Sequence, residues 1–277
     1  MISGRTTLIA HLGYPTESFR APMIYNPWFE ECGIDAVVMP MGVKAEDYAA
    51  FLRPLFRLSN IRGALVTMPH KVATIGLVDE VSTAAAIAGS ANAILLREDG
   101  SLLADMFDGE GFVRGMRRKG RDPRGARALV VGAGGVGSAI AASLAGAGVG
   151  ALGLFDIDGH SAAALADRLA RHYPALEVAV GQRDPAGYDV VVNATPLGMK
   201  PGDPLPVDVA RLGPDCFVGE VVLTQEITPF LAAARERGCA VQVGTDMLFE
   251  QIPAYLEFFG FPSTTAEKLR QVARIRY

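Results

Sequence analysis

Val130-Val-Gly-Ala-Gly-Gly-Val-Gly137 sets a G-x-G-G-x-G turn between an apolar run and an Ala-rich stretch. Glycines there let the backbone turn sharply and approach a pyrophosphate without Cβ clashes. A helix starting at the turn offers free N–H groups and a partial positive charge to the phosphates. Gly132, Gly134, Gly135, Val136 and Gly137 are therefore the candidate phosphate contacts. Asp156 stands 24 residues beyond Gly132, at the end of the next apolar run. A carboxylate at that point accepts hydrogen bonds from both ribose hydroxyls of NAD and repels the extra phosphate of NADP. Ile157 and Asp158, which follow, supply no cation for that phosphate. The expected cofactor is NAD, with NADP less favoured because of Asp156. No metal site is expected. Cys32, Cys216 and Cys239 form no CxxC, and His11, His70, His160 and His172 show no ligand spacing.

These residues need strands and helices to hold them. Thr7–Leu12, Ala36–Val43 and Gly63–Met68 read as strands, and Pro22–Glu31 as a helix. Over Glu46–Leu58, Tyr48, Phe51, Leu55 and Leu58 form an apolar stripe at helical spacing. After a charged, Gly/Pro-rich break at 120–127, strands are expected at Arg127–Gly132, Ala151–Asp156, Glu177–Gly181, Asp189–Thr195, Phe217–Leu223 and Ala240–Val243. Helices are expected at Gly111–Lys119, Gly135–Ala147, Ser161–His172, Thr228–Arg237, Asp246–Phe259 and Thr265–Arg274. Strands alternating with helices imply an α/β protein with largely parallel sheets.

The chain has 277 residues, 50% hydrophobic and 20% charged, enough for a real core in one or two domains. Its net charge of −4 carries no electrostatic footprint for nucleic acid. No basic segment followed by an apolar one opens the chain, so no signal peptide is expected and the cytoplasm is the default location. Residues 128–155 hold no charge, which invites a membrane reading, but they carry eight glycines and split into strand, turn, helix and strand.

Several spaced segments resemble the shikimate/quinate dehydrogenase family. They are Gly13-Tyr-Pro15 with Pro22 and Asn26, then Val66-Thr-Met-Pro-His-Lys71, Gly89-Ser-Ala-Asn92, Asp108-Gly-Glu-Gly111 and the glycine turn. Asn193-Ala-Thr-Pro-Leu-Gly-Met199, Thr228-Pro-Phe-Leu231 and Gly244-Thr-Asp-Met-Leu248 with Gln251 complete the set, nearly the whole chain in order. The resemblance implies an N-terminal α/β substrate-binding domain over residues 1–110 and a Rossmann-type NAD(P)-binding domain over 111–244. Helices over 245–277 would return to the first domain. It also implies that Lys71 and Asp108 are the catalytic pair. Alcohol oxidation sends a hydride to the nicotinamide and releases a hydroxyl proton, which some group must take; whether Lys71 takes it or orients the hydroxyl stays open. Thr67, Asn92 and Gln251 match residues that hydrogen-bond the substrate ring. Asn193 and Thr195 match the strand end beside the cofactor, and Gly244 and Met247 the segment flanking the nicotinamide.

This chain departs from the family pattern in one region. Phe19 and Ala21 stand where the family places two serines that bind the substrate carboxylate, and neither side chain donates a hydrogen bond. Arg20 and Tyr25, with Ser18 beside them, are the expected replacements, Arg20 through a bidentate pair. Leu65 replaces an asparagine, Met106 and Phe107 an asparagine and a threonine, Leu223 a tyrosine, and Glu220 an aspartate. The expected partner is a small cyclic hydroxy acid, and the protein a monomer or homodimer. The alternatives are the same fold acting on another substrate, a dehydrogenase of related two-domain layout acting on a folate-type one-carbon substrate, or a non-catalytic dinucleotide-binding regulator.

Overall fold

A computed structural model describes residues 2–17 and 19–275. The chain folds into two compact units, Met1–Phe107 with Ile252–Tyr277, and Asp108–Gln251.

The first unit runs β1 (Thr7–Gly13), α1 (Pro22–Cys32), β2 (Ala36–Gly42), α2 (Ala45–Leu55), β3 (Ile61–Val66), α3 (Lys71–Thr74), β4 (Glu80–Val81), α4 (Thr83–Ala88), β5 (Ala93–Leu96) and β6 (Leu102–Asp105). Its sheet has the order β2-β1-β3-β5-β6-β4. Strand β1 is parallel to both β2 and β3, but β5 lies antiparallel to β3 and β6 antiparallel to β5. The sheet is therefore mixed, where strand–helix alternation alone suggested parallel pairing. Strand alternation sends Ala10, Leu12, Ala64 and Val66 into one core with Tyr48, Leu52 and Leu55 of α2. Leu58 does not extend that stripe: α2 ends at Leu55 and Leu58 is exposed. The buried partner missing from the expected stripe is Leu52.

The second unit runs α5 (Asp108–Arg118), β7 (Arg127–Val131), α6 (Gly135–Gly146), β8 (Ala151–Phe155), α7 (Gly159–His172), β9 (Glu177–Val180), β10 (Val190–Asn193), β11 (Phe217–Glu220), α8 (Pro229–Glu236), β12 (Ala240–Gln242) and α9 (Gly244–Phe259). Helix α9 crosses from the second unit into the first at Gln251/Ile252, and α10 (Ala266–Val272) follows it. The second sheet is wholly parallel in the order β12-β11-β10-β7-β8-β9. The order reverses between β7 and β10, and ligands of such sheets bind beyond the strand ends at that switch. Residues 128–155 form β7, the glycine turn, α6 and β8. Among the described residues no helix is long and apolar enough to cross a membrane.

Helix α5 begins at Asp108, three residues before the expected start. Its glycines explain both the poor helical signal and the need for glycine. A Cβ on Gly109 would lie 2.0 Å from the Ala139 carbonyl oxygen, and one on Gly111 would lie 2.6 Å from that of Met247. The helix thus packs backbone to backbone against α6 and α9.

Candidate active site

In the first unit the site residues gather at the carboxyl ends of β1 and β3. The Thr67 N–H donates to the Leu12 carbonyl at 2.8 Å, and the Tyr14 N–H to that of Met68 at 3.0 Å. The approach is so close that a Cβ on Gly13 would lie 2.4 Å from the Thr67 methyl and 2.8 Å from the tip of Phe19. Lys71 is the first residue of the single-turn helix α3 and is half-buried. The preceding residue anchors it: His70 Nε2 donates to the Val43 carbonyl at 2.8 Å, and its ring stacks on Tyr48 at 3.9 Å. Tyr48 also hydrogen-bonds Thr74 at 2.7 Å, and Thr74 donates back to the His70 carbonyl. The Lys71 carbonyl accepts from the Ala91 N–H at 2.9 Å, which sets Asn92 beside the lysine segment.

Asn92 is buried, and its side-chain oxygen accepts the Phe107 N–H at 2.9 Å. That bond fixes the chain one residue before Asp108, which opens α5 and is itself buried. The Phe107 ring packs on Tyr255 and Phe258 at 4.8 and 5.2 Å. Arg20 is half-buried. Tyr25 is buried, its hydroxyl has no hydrogen-bond partner, and burial holds its pKa well above the ordinary tyrosine value. Ser18 lies outside the described residues.

In the second unit Gly132 takes a φ of 104°, where L side chains are strained, and follows β7 directly. A Cβ on Gly137 would lie 1.9 Å from the Gly132 carbonyl oxygen, so the turn closes only around glycine. Gly134, the N-cap of α6, has open space around its Cβ position; it and Gly135, the first residue of the helix, are exposed, with Val136 half-buried behind them. The turn leads directly into the N-terminus of α6, an end whose backbone dipole favours anions. Asp156 folds onto the same turn, accepting from the Ala133 N–H at 2.6 Å and the Asp158 N–H at 2.9 Å. The cap of α7 is Asp158, not Asp156.

Asn193 is fully buried at the end of β10. Its oxygen accepts from the Thr195 N–H and hydroxyl at 3.1 and 2.6 Å, and its amide donates to Leu197 at 2.9 Å. Asn193 thus holds the 193–197 loop, and Thr195 closes the knot by accepting the Leu197 N–H. Gly244 starts α9 so close to the chain after β11 that a Cβ would lie 2.1 Å from the Val222 carbonyl oxygen. Met247 is buried in α9. Gln251 lies along the same helix against Gly111, and its side-chain oxygen is buried without a partner.

Glu220 ends β11 alongside Asn193 and is fully buried. The Thr228 hydroxyl donates to one of its oxygens at 2.9 Å, and the other has no partner. Burial pushes its carboxyl from 4.5 up to about 7, only partly offset by the hydrogen bond from Thr228. The folded state then holds a proton that the unfolded chain has released. Stability falls as pH rises from about 4.5 to 7 and is flat above. Glu220→Gln removes this titration. Denaturant titrations of the two proteins should diverge across that window by up to about 3 kcal/mol, with the variant gaining relative to wild type; parallel curves would contradict the assignment.

Residues missed by the sequence reading are His11 and Tyr48, one an isolated histidine in a strand, the other an apparent core aromatic. Only the fold puts them beside Phe19 and His70.

Residues 12–94 match the family described as shikimate dehydrogenase substrate binding domain, and residues 117–178 match the ThiF family. The shikimate dehydrogenase (NADP(+)) of Rubrobacter xylanophilus is 39% identical over 254 residues, 90% of this chain and 89% of its own. Among solved structures, shikimate 5-dehydrogenase from Listeria monocytogenes in complex with shikimate and NAD matches with a TM-score of 0.91 at 25% identity, covering 98% of this chain and 97% of that one. The ligand-free 5-ketofructose reductase of Gluconobacter sp. strain CHM43 matches at 0.88 and 26% identity, covering 98% of each chain. At this identity over nearly its full length, the protein belongs to the shikimate dehydrogenase family.

Proposed function

We propose that the protein is an NAD(P)-dependent dehydrogenase that interconverts shikimate, quinate or a related cyclic hydroxy acid with its 3-dehydro ketone. One observation carries this reading: the chain shares 39% identity over 90% of its length with a shikimate dehydrogenase while keeping both the lysine segment and the glycine turn. The bound dinucleotide supplies the hydride acceptor, and Gly132, Gly134, Gly135, Val136 and Gly137 would hold its pyrophosphate. Asn193 and Thr195 shape the loop beside it, with Gly244 and Met247 flanking the nicotinamide. Lys71 holds and moves the proton of the reacting hydroxyl, with Asp108 as the second member of the catalytic pair. Thr67, Asn92 and Gln251 hydrogen-bond the ring. The site of action is the cytoplasm, with no nucleic-acid or membrane partner, as a monomer or homodimer.

NAD is the preferred dinucleotide in this reading, because Asp156 presents a carboxylate at the ribose position. The Rubrobacter relative carries NADP(+) in its name. Arg183, whose guanidinium lies 5.5 Å from the ring centroid of Phe155, is a cation close to that strand end. Steady-state oxidation of shikimate and quinate with each dinucleotide tests both points. The expected result is turnover of at least one acid, with kcat/KM higher for NAD. Equal or better turnover with NADP removes the Asp156 argument and turns attention to Arg183. The second reading is the same chemistry on a different hydroxylated substrate. Phe19, Leu65, Met106 and Phe107, all buried and apolar, favour it; failure with both acids despite dinucleotide binding would select it.

A further inference from the structure

Shikimate and quinate carry a carboxylate, and an anion held without donors costs several kcal/mol. Phe19 and Ala21 provide no donor. The structure offers one nearby that the sequence reading passed over. His11 projects from β1 on the face opposite Ala10 and Leu12, in register with Leu65 of β3, two residues before Thr67. The Phe19 ring stacks on the imidazole at 4.1 Å and 30°. The tip of Phe19 and the Thr67 methyl converge on the Cβ position of Gly13, so His11, Phe19 and Thr67 line one spot. His11 is 7% exposed, and its Nδ1 is buried without a partner, which is not so of Nε2.

Resting on the function proposed above, we propose that His11 Nε2–H donates a hydrogen bond to the substrate carboxylate, replacing the donors absent at positions 19 and 21. Phe19 then serves as a platform that fixes the imidazole plane. Burial, and after it the charge of Lys71, push the His11 pKa down to about 4. The imidazole is therefore neutral at working pH, a donor that adds no second positive charge beside the catalytic ammonium. An incoming carboxylate meets this donor and the field of Lys71 together.

His11→Leu should raise KM for shikimate or quinate roughly 10- to 100-fold, the range for a hydrogen bond to a charged group, with kcat little changed. His11→Gln, which restores a donor of similar reach, should recover most of that loss. On the methyl ester of shikimate the wild type and the Leu variant should differ far less. An unchanged KM, or an equal penalty on the ester, overturns the proposal. Imidazole nitrogen NMR of the wild-type protein with dinucleotide gives a readout independent of variant folding. Added shikimate should move the His11 Nε2 signal more than the ester does, and an unmoved signal overturns the proposal. A wild type silent on both acids overturns the functional reading alone, and the NMR titration with shikimate still decides for or against His11.

Discussion

Lys71→Ala lowers kcat for alcohol oxidation by roughly 10²–10⁴-fold, the span of general acid–base catalysis, and leaves dinucleotide affinity unchanged. The structure gives reasons to expect a loss in chemistry, not in folding. The segment is fixed by groups other than the lysine side chain: the backbone bond from Ala91, the His70 bond to Val43 and the Tyr48 stack all survive truncation. Lys71→Arg should not rescue activity, because a guanidinium keeps its proton and its fork is too large for a site fitted to an ammonium. Dinucleotide titration and circular dichroism of each variant accompany the kinetics. A Lys71→Ala enzyme within tenfold of wild type in kcat contradicts the assigned role, and points to the non-catalytic reading of a dinucleotide-binding regulator.

The second large effect concerns the glycine turn, and a pair of substitutions separates folding from binding. In Gly137→Ala the new Cβ meets the Gly132 carbonyl oxygen at 1.9 Å and its carbon at 2.8 Å. These are backbone atoms, so the turn itself must open. The expected outcome is a lower melting temperature together with near-complete loss of dinucleotide binding. Gly134→Ala differs in kind. Its φ of −70° suits any residue, and nothing lies within 4 Å of the Cβ position. The fold should hold, while the methyl intrudes where the pyrophosphate would lie. Affinity should fall by roughly tenfold or more, the effect of overpacking by about 1–3 kcal/mol, at an unaltered melting temperature. Thermal melts with and without NAD, beside dinucleotide titrations, check both. Gly134→Ala binding as tightly as wild type would show that the turn is not a phosphate cradle.

How much of this was legible in the sequence depended on the range of the interactions involved. The glycine turn could be read because its signal is local: a strand, glycines at fixed offsets and a helix within twenty residues. That unit lies at the reversal between β7 and β10, where ligands of such sheets bind. Strands β5 and β6, four residues each, were not legible. Runs that short carry no measurable alternation, and their antiparallel pairing is decided by the sheet they join. The start of α5 was obscured because Gly109 and Gly111 weaken any helical pattern, and their necessity lies in contacts with α6 and α9 far along the chain. Leu58 matched a helical stripe by spacing but falls beyond the end of α2.

The substrate end of the site shows the same limit. The loss of donors at Phe19 and Ala21 was visible in the residues themselves. What faces those positions was not, because His11 precedes Phe19 by eight residues and meets it only after the chain has turned back across the end of β1. Strand alternation gives the face on which His11 sits, but not the ring that covers it. Asp156 was likewise legible as an acid at a strand end, whereas its two backbone hydrogen bonds to the glycine turn and to Asp158 belong to the fold.

The most direct test of the account is isotope transfer. Shikimate or quinate carrying deuterium on the carbon that bears the reacting hydroxyl is incubated with the wild-type protein and oxidised dinucleotide, and the reduced dinucleotide is examined by mass spectrometry. Deuterium should move to the nicotinamide with the ketone as co-product, and Lys71→Ala should transfer it far more slowly. Reduced dinucleotide without the label, or no reduced dinucleotide from either acid while the protein binds the cofactor, would contradict the account.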